Sequence, residues 1–107
     1  MTFDEYQKRA AATLLPAANN IVYVTLGLTN ESGEVAGKIK KWIRDNDKDP
    51  NLIDKKAITD ELGDTLWYLA MLADMLDIKL SKVADLNIDK LTSRAKRGKL
   101  TGSGDNR

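Results

Sequence analysis

Cysteine and histidine are both absent from the 107 residues of this chain. Without cysteine there are no disulfides, no thiolate nucleophile and no zinc–sulfur site. Without histidine the usual general base and the usual transition-metal ligand are missing, which leaves Asp, Glu, Lys and Tyr for proton transfer. No apolar run approaches the ~20 residues of a membrane span, and no signal-peptide pattern opens the chain, so a cytoplasmic location is expected and no membrane partner. An excess of charge is lacking too. The formal net charge is only +1, which argues against nucleic-acid binding through bulk electrostatics. Proline occurs only at Pro16 and Pro50, and no segment shows the alternation of a β-strand.

What is present reads as helix. Thr2-Phe3-Asp4-Glu5 is a capping-box pattern that starts a first helix running to about Leu15, before Pro16. Asn19 or Asn20 can cap a second helix, with an apolar stripe of Val24, Leu28, Val35, Ile39 and Trp42. The polar run Asp45 to Asp49 breaks it, and Asp49-Pro50 suits the cap and first turn of a third. That helix carries Ile58, Leu62, Leu66, Leu69, Ala73 and Leu76 on one stripe, with Trp67, Tyr68, Met71, Leu72 and Met75 around the rest. A helix apolar almost all round needs cover on several sides, which points to a second subunit. A fourth helix covers Leu80 to Arg97, with Leu80, Ala84, Ile88, Leu91 and Ala95 inward, no good cap at its start, and Gly98 as its stop. The expected architecture is all-α and four-helix bundle-like. Residues 1–98 form its single domain, and 99–107 form a flexible, glycine-rich tail.

Two phrases rhyme inside these helices: Glu31-Ser32-Gly33-Glu34 and Glu61-Leu62-Gly63-Asp64. Residues three apart share a helix face, so two such helices packed together would gather four carboxylates. Glu31 fills the gap in the second helix's stripe between Leu28 and Val35, and a carboxylate turned inward is costly unless paired with a cation. Four hard oxygen donors in a helical bundle suit Mg²⁺, with Mn²⁺ as substitute. Water activated by such an ion, with a glutamate's help, is the natural nucleophile. The bland reading of these acids is a set of surface salt bridges. A glycine inside a helix costs roughly 1 kcal/mol, and the matched pair Gly33 and Gly63 suggests a close approach of backbones or ligand.

Asn87, Lys90, Arg94 and Arg97 fall on one stripe of the fourth helix, which suits a polyphosphate or, equally, the helix dipole. Lys38, one turn after Glu34, reaches a phosphate or pairs with Glu34. Trp42, Trp67 and Tyr68 offer faces for a base, though core packing accounts for most such residues.

Together these residues resemble the MazG-like nucleoside triphosphate pyrophosphohydrolases of the all-α superfamily. The matching pattern is Glu31-x-x-Glu34, 26 intervening residues, then Glu61-x-x-Asp64. Its flanks are Asn30 to Val35 and Asp60-Glu61-Leu62-Gly63-Asp64-Thr65-Leu66-Trp67-Tyr68, followed by Asn87-Ile88-Asp89-Lys90 with Arg94. The closing Gly-Ser-Gly-Asp-Asn-Arg is similar to endings in a subgroup of short members. The resemblance spans about residues 20–107. It implies that Glu31, Glu34, Glu61 and Asp64 hold Mg²⁺, and that Lys90 and Arg94 contact substrate phosphates with Asn87 nearby. It also implies a homodimer or a dimer of dimers. Many members carry Glu where this chain has Asn30, which leaves the number of ions and the identity of the base open. The implied activity is Mg²⁺-dependent cleavage of a nucleoside triphosphate between its α and β phosphates. The alternatives are a non-catalytic nucleotide-binding regulator or a helical interaction module.

Overall fold

The computed structural model describes all 107 residues and contains helices without strands. Helix α1 spans Phe3–Ala11, α2 Ile21–Asn46, α3 Lys55–Met75 and α4 Leu80–Lys96, with 3-10 turns at Pro16–Ala18 and Pro50–Leu52.

Thr2 and Glu5 form the expected capping box at the start of α1. The helix stops at Ala11, short of Leu15, for a local reason. Thr13 and Leu14 bond back to the carbonyls of Ala10 and Ala11, three residues away, and tighten the last turn. The Thr13 hydroxyl also donates to the Ala10 carbonyl at 2.7 Å. Leu15 is extended, with ψ 149, because the ring of Pro16 disfavours a helical neighbour before it. Asn20, rather than Asn19, caps α2 by accepting from the Tyr23 amide at 2.8 Å. Pro50 does not open α3. It begins a separate 3-10 turn capped by Asp49, and an extended Ile53 follows. Asp54 then caps α3 through the Ala57 amide at 2.9 Å. The Trp42 indole donates to the Asp49 carbonyl at 2.7 Å and ties this corner to the end of α2.

Helices α2 and α3 form a long antiparallel hairpin, and α1 closes one end of it. Val24, Ala70, Met71, Ala10 and Leu80 meet there as the buried core. Gln7 is buried among them; its amide donates to the Ile78 carbonyl at 2.9 Å and accepts from the Leu80 amide at 2.9 Å. Asp4 accepts from the Ser81 amide and hydroxyl at 3.1 and 2.8 Å. The uncapped start of α4 is therefore capped from α1, which satisfies amide groups the helix cannot serve itself.

Only the first half of α4 docks. Leu80 is buried and Ala84 half-buried, but Ile88, Leu91 and Ala95, read as inward, are exposed because no helix of the same chain lies against them. The radius of gyration is 16.8 Å, against about 13 Å for a compact chain of this length. Just 8 of the 107 residues are buried, while Ile21, Val22, Leu26, Leu62, Leu86 and Ile88 remain exposed.

Candidate functional site

Midway along the α2–α3 hairpin the apolar packing gives way to charge. Antiparallel pairing brings Glu31 beside Asp64, and the long Lys38 side chain reaches across to Glu61. One carboxylate oxygen from each of Glu31, Glu61 and Asp64 lies within 4.8 Å of the others. Glu31 and Glu61 are half-buried and Asp64 is exposed. Glu34 stands outside this group and is exposed, one turn further along α2. Partial burial pushes the Glu31 carboxyl above the usual range, and the nearby charges of Asp64, Glu61 and Glu34 push it the same way. The one cation in contact is Lys38, 3.5 Å from Glu61, so it pairs across the hairpin rather than with Glu34.

The sign of Glu31's shift makes a prediction. Its charged form is disfavoured in the fold, so the native state holds the proton more tightly and stability falls as pH rises through the carboxylate range. In chelator, Glu31→Gln melts at a higher temperature than the parent at neutral pH, and the difference shrinks on acidification. A constant difference in melting temperature across pH would contradict the crowding of charge around Glu31.

Two hollows flank the carboxylates. One, of about 340 Å³, is lined by Glu31, Asp64, Trp67 and Tyr68. The other, of about 270 Å³, lies toward the hairpin's closed end between Lys38, Lys41, Trp42 and the start of α3. The glycines of the two acidic phrases do not mark a close approach within the chain. A side chain built at Gly33 or Gly63 would meet nothing within 4 Å. The close approach is at Gly27, where an added Cβ would overlap the Tyr68 ring.

Tyr68 thus seats in a notch on α2, its ring 6.4 Å from that of Tyr23 and edge-on to Trp67 at 4.9 Å. Burial raises the Tyr68 hydroxyl's pKa, and Tyr23, Glu31 and Asp64 add to this. Tyr6, on α1, is raised first by burial and then by Asp64. The sequence reading missed Gly27 and Tyr6. Gly27 was within reach, since it precedes Glu31 by one turn just as Tyr68 follows Asp64 by one turn.

The basic stripe on α4 lies apart from this centre. Asn87 lines a separate apolar hollow with Leu66, Leu69 and Leu80. Lys90 and Arg94 face Asp105, and Arg97 donates to the Arg107 carbonyl. None of the four lines the hollow at Glu31 and Asp64. The segment after Gly98 folds back over that stripe.

A helical hairpin that gathers acids from a doubled Glu-x-x-Glu/Asp pattern finds its counterpart among known proteins. The profile of the MazG nucleotide pyrophosphohydrolase domain matches residues 22–98. The chain belongs to this family. The MazG match begins in the first turn of α2 and ends just past α4, so it takes in both acidic phrases and the basic stripe. The chain is also 44% identical over 114 residues to the Gene 37 protein of Mycobacterium phage L5, with both chains covered completely. No solved structure matches it. No helix of this MazG chain is long and apolar enough to cross a membrane.

Proposed function

We propose that the chain is a Mg²⁺-dependent nucleoside triphosphate pyrophosphohydrolase that yields the nucleoside monophosphate and pyrophosphate, with Mn²⁺ as a substitute ion. The observation that carries this reading is the convergence of Glu31, Glu61 and Asp64 within 4.8 Å, in a chain of the MazG family. The donor set fits such an ion. It is all oxygen, as hard divalent cations prefer, and its negative charge exceeds what Lys38 alone offsets. Glu31, Glu61 and Asp64 would hold the ion, with Glu34 beside them. Bound there, it would supply charge neutralisation at the phosphates and activation of water.

The chain's own groups do the rest. Lys38, already at the edge of the cluster, is placed to exchange its carboxylate partner for a phosphate oxygen. Trp67 and Tyr68 wall the adjoining hollow and restrict how substrate enters. Asn87, Lys90, Arg94 and Arg97 present donors for phosphate from α4. Their separation from the acidic centre, together with the exposed apolar faces of α2, α3 and α4, supports a dimer or dimer of dimers as the working unit. Exposed patches of this kind mark association surfaces.

The test is a panel of ribo- and deoxyribonucleoside triphosphates with and without Mg²⁺, resolving pyrophosphate from orthophosphate. Pyrophosphate in equal amount to monophosphate is the expected result. Orthophosphate alone would reject the bond assignment, and turnover unchanged in chelator would reject the ion. A nucleotide-binding regulator is the second reading, favoured by Asn30, a neutral side chain next to Glu31; nucleotide binding with no product would support it.

A further inference from the structure

The segment that the sequence marks as a flexible tail is folded into a closed turn against α4. Gly98, Gly102 and Gly104 have φ of 64, 103 and 89, a left-handed region that glycine enters without steric cost, and they reverse the chain. The Arg107 guanidinium then gathers the carbonyls of Lys99, Leu100, Thr101 and Gly104 at 3.1, 3.1, 3.2 and 2.6 Å.

This turn covers the basic stripe. Arg94 is only 5% exposed and donates to the Asp105 and Gly104 carbonyls at 2.7 and 3.3 Å. Its Nε is buried and has no partner. The Asp105 carboxylate lies 3.5 Å from the Lys90 ammonium and 3.6 Å from the Arg94 guanidinium. It is the single acid in a stretch that also holds Lys90, Arg94, Lys96, Arg97, Lys99 and Arg107.

We propose that residues 99–107 form a displaceable anionic strap, in which Asp105 occupies on Lys90 and Arg94 the place a substrate phosphate takes. The inference rests on the reading of these two side chains as phosphate contacts. A carboxylate accepts from the same ammonium and guanidinium donors as a phosphoryl oxygen, but it brings one charge where a polyphosphate brings several. Arg94 meets phosphate only after the turn lifts, and its unpartnered Nε becomes available at the same moment. Anion binding to α4 and release of the strap are therefore one equilibrium, and each must weaken the other.

The probe is inorganic tripolyphosphate in chelator, where the carboxylate centre holds no cation. Affinity is measured for the parent, Asp105→Asn and Arg107→Ala, with the Gly102 and Gly104 amide resonances followed by NMR. Asp105→Asn binds about three- to fivefold tighter, the scale of releasing a solvent-exposed carboxylate from one or two cations. Arg107→Ala, which unties the turn, tightens binding at least as much. In the parent the two glycine resonances move toward their positions in Arg107→Ala as tripolyphosphate is added.

Equal affinity in all three proteins with unmoved resonances overturns the strap. Weaker binding by Asp105→Asn also overturns it, because the tail would then be part of the anion site. Absence of tripolyphosphate binding in every protein overturns it as well. The hydrolytic reading is scored separately by triphosphate turnover in Mg²⁺. Turnover without strap displacement leaves that reading standing, and displacement without turnover leaves the strap standing.

Discussion

Glu61→Gln is expected to lower the proposed triphosphate hydrolysis by at least about a thousandfold while leaving the helical content unchanged. Glu61 belongs to the three-carboxylate group and also pairs with Lys38, with a side chain 17% exposed. Gln keeps the volume and one acceptor oxygen but removes the charge. Interactions of a divalent ion with a developing phosphoryl charge are worth several kcal/mol, and each ~1.4 kcal/mol is tenfold in rate. The fold has little stake in that charge, since no backbone amide depends on it. Taking one negative neighbour away from Glu31 relieves repulsion if anything. The accompanying signature is thermal. Mg²⁺ at a hundred times its Kd stabilises a binding protein by about 2.7 kcal/mol, and at this size each kcal/mol raises Tm by about 4–8 °C. The parent is expected to show that rise and Glu61→Gln to lack it. Glu34→Gln, outside the group, loses less activity. Full turnover by Glu61→Gln, or an identical Mg²⁺-induced rise in both proteins, would remove the centre.

Three of the four carboxylates that the sequence groups together, Glu31, Glu61 and Asp64, do meet, because the phrases obey a local rule, the three-residue step along one helix face; Glu34 stays outside. Thr2 and Asn20 were legible as caps because a cap, too, is a local pattern. What was not legible depends on contacts between distant segments. Pro50 and Asp49 have the chemistry of a helix start and do build a turn. The Trp42 bond to the Asp49 carbonyl belongs to the corner, however, and α3 begins only at Lys55, capped by Asp54. The start of α4 reads as uncapped because its partners, Asp4 and Gln7, lie more than seventy residues earlier. Periodicity on α4 finds an apolar stripe in Ile88, Leu91 and Ala95 but not what covers it, and within one chain nothing does. The glycines show the limit most clearly. Gly33 and Gly63 drew notice by their matched positions and are open on their outer side, whereas Gly27, in no motif, is the one that a neighbour fills.

Gly27→Ala accordingly destabilises the protein, against the usual direction for such a change in a helix. Alanine is favoured over glycine by about 1 kcal/mol in a helix interior, and Gly63→Ala, with nothing within 4 Å of its new methyl group, is expected to gain up to that amount. At Gly27 the methyl would overlap Cε1, Cζ and Cδ1 of Tyr68. The ring cannot retreat freely, because Trp67 stands edge-on at 4.9 Å and Tyr23 lies beside it. Forcing a methyl group into a packed contact costs about 1–3 kcal/mol, so the net change lowers Tm by several degrees.

Activity falls with it, since Tyr68 shares its hollow with Glu31 and Asp64 and a displaced ring alters the entrance to the centre. Tyr68→Phe offers no relief, because the overlap is with the ring and not the hydroxyl. Tyr68→Leu does, so Gly27→Ala combined with Tyr68→Leu loses less stability than the two single changes added together. The measurement is a double-mutant cycle by chemical denaturation. Strict additivity, or a Gly27→Ala protein as stable as the parent, would mean that Tyr68 does not seat against Gly27. The aromatic wall of the centre would then be set some other way.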